Sequence, residues 1–136
     1  MALITRSSSR RQLVNNMKVK CISLQDAFGK PTAKSAWLTI GKIYHVLELF
    51  QSEGQWRLRL MGDEPNGLAI FRLEQFEIVS TQIPPSWIVA WGKEGSLHLR
   101  PERWNKPGFL EEYYDKDAEA IRIFEEERRK IIESDP

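Results

Sequence analysis

Between Leu38 and Val79 the chain cannot run far without turning, and this is its strongest constraint. Leu38–Val46, Trp56–Leu60, Leu68–Phe71 and Phe76–Val79 are short runs rich in β-branched, aromatic and aliphatic residues. Ser52-Glu53-Gly54-Gln55 separates the first two, and Gly62-Asp63-Glu64-Pro65-Asn66-Gly67 separates the next two. Glycine supplies the positive φ that tight turns demand, and Asn66-Gly67 suits the same geometry. Short strands joined by such turns predict an antiparallel sheet folded on itself.

The flanks extend the pattern. Residues 17–24 alternate Lys18 and Lys20 with Val19 and Cys21, as in a strand with one wet face. A loop of about twelve residues follows, over 25–36, marked by Gly29 and Pro31. From Trp37 to Phe50 comes the longest apolar stretch, with Gly41 turning the chain into a strand. Leu73-Glu74-Gln75 fits one 3₁₀ turn before the strand at Phe76. Five strands with that turn before the last follow the order of a small antiparallel SH3-like β-barrel over residues 17–83.

Pro84-Pro85 marks a boundary. Trp87–Trp91 and Leu97–Leu99 then read as a hairpin turning through Gly92–Gly95. Pro101 opens a short turn or helix through Trp104, and residues 109–114 fit a single helical turn. A longer helix is predicted from Asp117 to Glu133, capped by Asp115 or Asp117. Ile121, Phe124, Arg128 and Ile131/Ile132 give it an apolar stripe, with Glu125–Arg129 and Glu126–Lys130 as i,i+4 pairs. The expected fold class is α+β. Residues 84–136 add a β-hairpin and a C-terminal α-helix to the barrel within the same domain. Residues 1–16 share none of this periodicity and read as a non-native leader or a natural disordered arm, with Met17 as the start of the folded chain.

Composition narrows the chemistry. A single cysteine, Cys21, rules out an internal disulfide and a multi-cysteine zinc cage, and points to a reducing cytoplasm. Its place in an apolar strand makes it a small buried hydrophobe. No apolar run is long enough to span a bilayer. The two histidines, His45 and His98, sit inside strands, and no nucleotide loop, zinc motif or catalytic triad spacing is present. The reading is therefore a non-catalytic binding protein with no cofactor and no metal.

Charge is unevenly placed. The net value is +1, yet residues 109–136 hold five Lys/Arg against ten Asp/Glu. Glu111, Glu112, Asp115, Asp117 and Glu119 cluster there without the alternating ligands and glycine of a calcium loop. They read as a solvated helix start or as a face for a basic protein partner. Five tryptophans fill the core or, where exposed, mark a binding surface. The alternative reading is an SH3-like nucleic-acid-binding or regulatory module using Lys18, Lys20, Arg57, Arg59 and Arg72.

Leu38–Val46 and Phe71–Val79 together resemble the core of small bacterial and phage SH3-like proteins. Arg100–Asp115, with Ala118, Ala120 and Phe124 beyond, resembles the tail of bacterial immunity proteins, the cognate inhibitors of toxins from contact-dependent and other polymorphic systems. The resemblance spans roughly residues 18–132 and rests on structural motifs. It implies a small cytoplasmic protein that binds one toxin, a nuclease by preference, as a one-to-one heterodimer and covers its active site or substrate surface. The acidic residues Glu111, Glu112, Asp115, Asp117 and Glu119 are the expected contact.

Overall fold

In the computed structural model, residues 17–26, 28–65 and 67–135 are described. The expectations for residues 1–16 and for Asn66 fall outside that range. The strands are β1 (Lys18–Cys21), β2 (Ile43–His45), β3 (Glu48–Ser52), β4 (Gln55–Met61), β5 (Leu68–Arg72), β6 (Phe76–Ser80), β7 (Trp87–Trp91) and β8 (Leu97–Pro101). Helices α1 (Phe109–Tyr114) and α2 (Ala118–Ser134) follow, with 3₁₀ turns at Leu73–Gln75, Lys93–Gly95 and Glu102–Asn105. The fold is α+β: two antiparallel sheets, ordered β2-β1-β6 and β5-β4-β3-β8-β7, and a C-terminal helix.

Three connections pass from one sheet to the other, the third being residues 81–86 between β6 and β7. β2 runs on through Val46 and Leu47 into β3, and β5 reaches β6 through the 3₁₀ turn Leu73–Gln75. At the first crossing the Leu47 N–H donates to the Arg59 carbonyl at 2.9 Å, while Glu48 is the register partner of Arg59. Two residues thus face one, and the resulting bulge bends the strand. β3 and β4 close through Glu53 and Gly54, both at positive φ, as two-residue hairpins prefer.

The hairpin β7–β8 joins the large sheet by pairing β8 with β3, so residues 87–101 extend a sheet begun at residue 48. Val19, Cys21, Val46, Leu47, Leu58 and Leu60 are buried in the core, which continues into Trp104, Phe109, Phe124 and Ile131. Trp104 stacks on Phe124 at 4.7 Å between ring centres, and Tyr113 lies 4.2 Å from Phe124 on its other contact. Cys21 is buried as expected, and burial pushes its thiol pKa up.

The structure departs from the sequence reading at three places. Gly41 turns the chain into a strand as expected, but that strand is interrupted at Val46 and Leu47, and the turn before Ile43 is held to the Gly62–Gly67 connection. Asp63 anchors it, accepting hydrogen bonds from Lys42 Nζ (2.7 Å), Thr39 Oγ1 (2.7 Å) and the Tyr44 hydroxyl (3.0 Å). Gly67 is required for close approach rather than positive φ, since a Cβ there would lie 2.6 Å from the Glu64 carbonyl. On α2 the buried positions are Ala120, Phe124, Glu127 and Ile131. Ile121 and Arg128 of the expected stripe are only half-buried. Glu127 enters that face because Arg103 and Lys130 both reach it at 3.1 Å. The ion pairs also differ from those expected: Glu125 pairs with Arg128, and Glu126 with Arg122 and Arg103.

Phe124 is the residue on which two other rings, Trp104 and Tyr113, converge. Phe124→Ala should cost about 3–5 kcal/mol of unfolding free energy, read from urea denaturation monitored by tryptophan fluorescence.

Candidate functional site

The acidic segment sits where α1 meets α2. The helices are separated by Asp115, Lys116 and Asp117, with Lys116 at φ +66°. Asp117 caps α2, accepting a hydrogen bond from the Ala120 N–H at 2.9 Å. Glu112 is held by Lys106 Nζ at 3.3 Å. Glu119 takes the Arg122 guanidinium at 2.5 Å, a contact that lowers its pKa. Glu111 on α1 and Asp115 just past its end are exposed and have no ion-pair partner among the described residues. The five acids are therefore brought onto one connected segment, but only two present unpaired carboxylates. Among the described residues no three His, Cys, Asp or Glu side chains are placed to hold a metal ion.

Beside these acids lies an open cleft lined by Tyr113, Tyr114, Lys116, Ile121 and Glu125. Tyr113 is seated on Phe124, and burial is the main reason its phenol pKa is raised. Tyr114 is half-exposed, yet its hydroxyl donates to the Leu68 carbonyl at 3.1 Å and meets Arg59 at 3.5 Å. This pins the one short helix of the segment to β5 and β4.

Arg59 leads inward to a buried carboxylate with three side-chain partners. Glu48 is fully buried. Its carboxylate accepts from Arg59 Nε at 2.9 Å, His98 Nδ1 at 2.6 Å and Arg100 at 3.1 Å. Arg100 also donates to Asn105 Oδ1 at 2.6 Å. Burial by itself raises the Glu48 pKa. The His98 hydrogen bond and the Arg59 and Arg100 charges outweigh it and hold the group below its ordinary 4.5. Each of these contacts ties the carboxylate to a side chain of a neighbouring strand.

The five basic residues do not share a face. Lys18 and Lys20 lie on β1 in the small sheet, paired with Asp135 (3.0 Å) and Glu77 (3.8 Å). Arg57 and Arg72 are cross-strand neighbours in the large sheet, and Arg59 is buried against Glu48. His45 and His98 are strand residues as expected. His98 also belongs to the Glu48 network, a role that depends on sheet register and leaves no local trace in sequence.

The tryptophans divide in two. Trp87 and Trp104 are core residues, whereas Trp37, Trp56 and Trp91 are exposed. Register places Trp56, Gln51, Leu97 and Trp91 in one row across β4, β3, β8 and β7. Leu58, Leu49, Leu99 and Val89 form the next row on the same face. This surface was not among the sequence-derived sites, although the uncharged run from Ile78 to Gly92 was its one visible signal. No helix among the described residues is long and apolar enough to cross a membrane. The chain matches no protein-family model, no curated protein and no solved structure.

Glu48→Gln keeps the volume but leaves buried guanidinium groups without their counter-charge. It should destabilise the fold by about 3–5 kcal/mol. Because the folded pKa of Glu48 is depressed, its contribution is full above the unfolded carboxylate pKa and fades as pH falls through the folded value. Urea midpoints across the acid range should therefore fall more steeply for the unmodified protein than for Glu48→Gln.

Proposed function

We propose that this protein is a non-catalytic inhibitor of the immunity type, which binds one basic protein toxin through the acidic segment of α1 and α2. The observation that carries the reading is the pairing of exposed Glu111 and Asp115 with the Tyr113–Tyr114 cleft on an anchored helix. Exposed carboxylates speed and orient the encounter with a basic cleft, and tyrosines supply apolar area with a polar tip. A nuclease is the toxin class this surface fits, since an active site built for nucleic acid is basic. The resemblance of Arg100–Asp115 to immunity-protein tails supports the same reading, which places its action in the cytoplasm. We also infer an SH3-like barrel. The support is the strand order: β6 returns beside β1, and the chain passes between the sheets three times, once through a 3₁₀ turn.

Affinity capture of the full chain from its host, followed by mass spectrometry, tests the function. One stoichiometric basic protein is expected, lost when Glu111, Glu112 and Asp115 are reversed to Lys. Its toxicity should be suppressed by co-expression of the unmodified chain but not of the triple variant. Full retention of partner and protection by the triple variant would overturn the reading. The regulatory alternative predicts instead salt-dependent capture of generic RNA or DNA, abolished by Arg57→Glu with Arg72→Glu.

A further inference from the structure

We propose that the protein pairs with a second copy of itself along β7, joining the two large sheets into one. β7 ends the sheet order, and its far side carries no strand among the described residues. Natural edge strands are blunted by charges, prolines or bulges within the strand. β7 has none of these: it reads Trp-Ile-Val-Ala-Trp, and its register with β8 is unbroken over all five residues. Val89 and Trp91 are 59% and 73% exposed, and Ile88 on the opposite face is 39% exposed. Apolar side chains thus stand open on both faces of an open edge.

Hydrogen-bond parity identifies what the edge offers. The Gly92 N–H donates to the Ser96 carbonyl at 2.8 Å. Antiparallel ladders alternate, so Ala90 and Ile88 also face β8, and the backbone groups of Val89 and Trp91 point outward. Trp87 points outward too, but its N–H is already used by the Pro84 carbonyl at 3.0 Å. Its carbonyl remains available.

That inventory is self-complementary. Two β7 strands related by a two-fold axis through Val89 place Val89 opposite its copy and Trp91 opposite the second Trp87. The Val89 N–H then meets the second Val89 carbonyl, and the Trp91 N–H meets the second Trp87 carbonyl. Each outward donor finds an acceptor, and the one missing N–H, that of Trp87, falls where only the Trp91 carbonyl would have used it. Ile88 comes opposite Ala90 on the other face. No charged side chain is opposed anywhere along the pairing, and apolar cross-strand pairs favour it. The two-fold also keeps the row of Trp91 and Val89 on the same face in both copies, so the exposed apolar rows become continuous. A charged or polar foreign strand would lack these matched neighbours, which is why the second copy is the occupant inferred.

Sedimentation equilibrium of the full chain over a wide concentration range provides the test, with hydrogen exchange of the Val89 and Trp91 amides as a local readout. A dimer is expected, with both amides slowed as concentration rises. Val89→Lys and Val89→Pro should each weaken dimerisation at least about tenfold. The proline is informative because the Val89 N–H faces outward, so its loss leaves the β7–β8 ladder whole. Ile40→Lys, an exposed isoleucine away from β7, should leave the dimer unchanged. A monomer at every concentration would overturn the proposal. So would a dimer that tolerates both Val89 substitutions, or edge amides slowed only by an added foreign protein. None of these outcomes bears on the acidic segment, which lies on other elements.

Discussion

A single buried carboxylate ties the parts of this fold together. Glu48 has no contact with water, so its charge is tolerable only with partners in good geometry. Those partners come from the two strands that flank β3: Arg59 on β4, and His98 with Arg100 on β8. A one-residue slip of β8 against β3 would turn His98 and Arg100 to the opposite face and leave the carboxylate short of partners. The pairing therefore fixes the register by which the late hairpin joins the early sheet. Through Arg59 and Tyr114 it also reaches α1, so the position of the acidic segment depends on a group buried in the sheet.

The bulge at Leu47 is the geometric origin of this arrangement. It bends the chain as it leaves the small sheet and leaves both Leu47 and Glu48 buried, one apolar and one charged. Nothing in the local sequence Val46-Leu47-Glu48-Leu49-Phe50 separates this from simple alternation, in which a glutamate would point to solvent. Turns were a different case. Glu53-Gly54, Gly92–Gly95, Pro101–Trp104 and the Asp117 cap were all legible, because each is decided by the conformational preferences of the residues that form it. Pairings separated by 11 to 52 positions, such as Glu48 with Arg59 and with Arg100, were not, because no short window contains both partners.

The same distinction explains the candidate sites. The acid excess of the C-terminal segment was countable, but which acids stay free was not. Asp117 is committed to a cap, Glu112 and Glu119 to neighbouring cations, and Glu127 to the interior, leaving Glu111 and Asp115, with Glu133 near the end of α2, as exposed acids without an ion-pair partner among the described residues. The basic residues looked contiguous on paper because strand alternation put Arg57 and Arg59 on one side. That side is half inside the protein, and helix packing decides where its exposed part ends. Periodicity reports a face of an element; it does not report what covers that face.

Charge placement in the β7–β8 hairpin follows from Glu48 as well. His98 and Arg100 lie on the inner strand, aimed at the buried carboxylate, and the outer strand carries no charge at all. The ionic side chains of the hairpin's strands are thus directed into the sheet, and those of its turn, Lys93 and Glu94, lie beyond the end of β7. An inner strand held by ion pairs keeps the outer strand flat and in register, which is the state in which an open edge best accepts another strand. The acidic segment has the opposite character: its free carboxylates act over distance and weaken with salt, whereas an edge built from backbone donors and apolar side chains acts only on contact. Two surfaces with such different ranges can operate on one small protein without competing, because the forces that recruit a partner to one do not recruit it to the other.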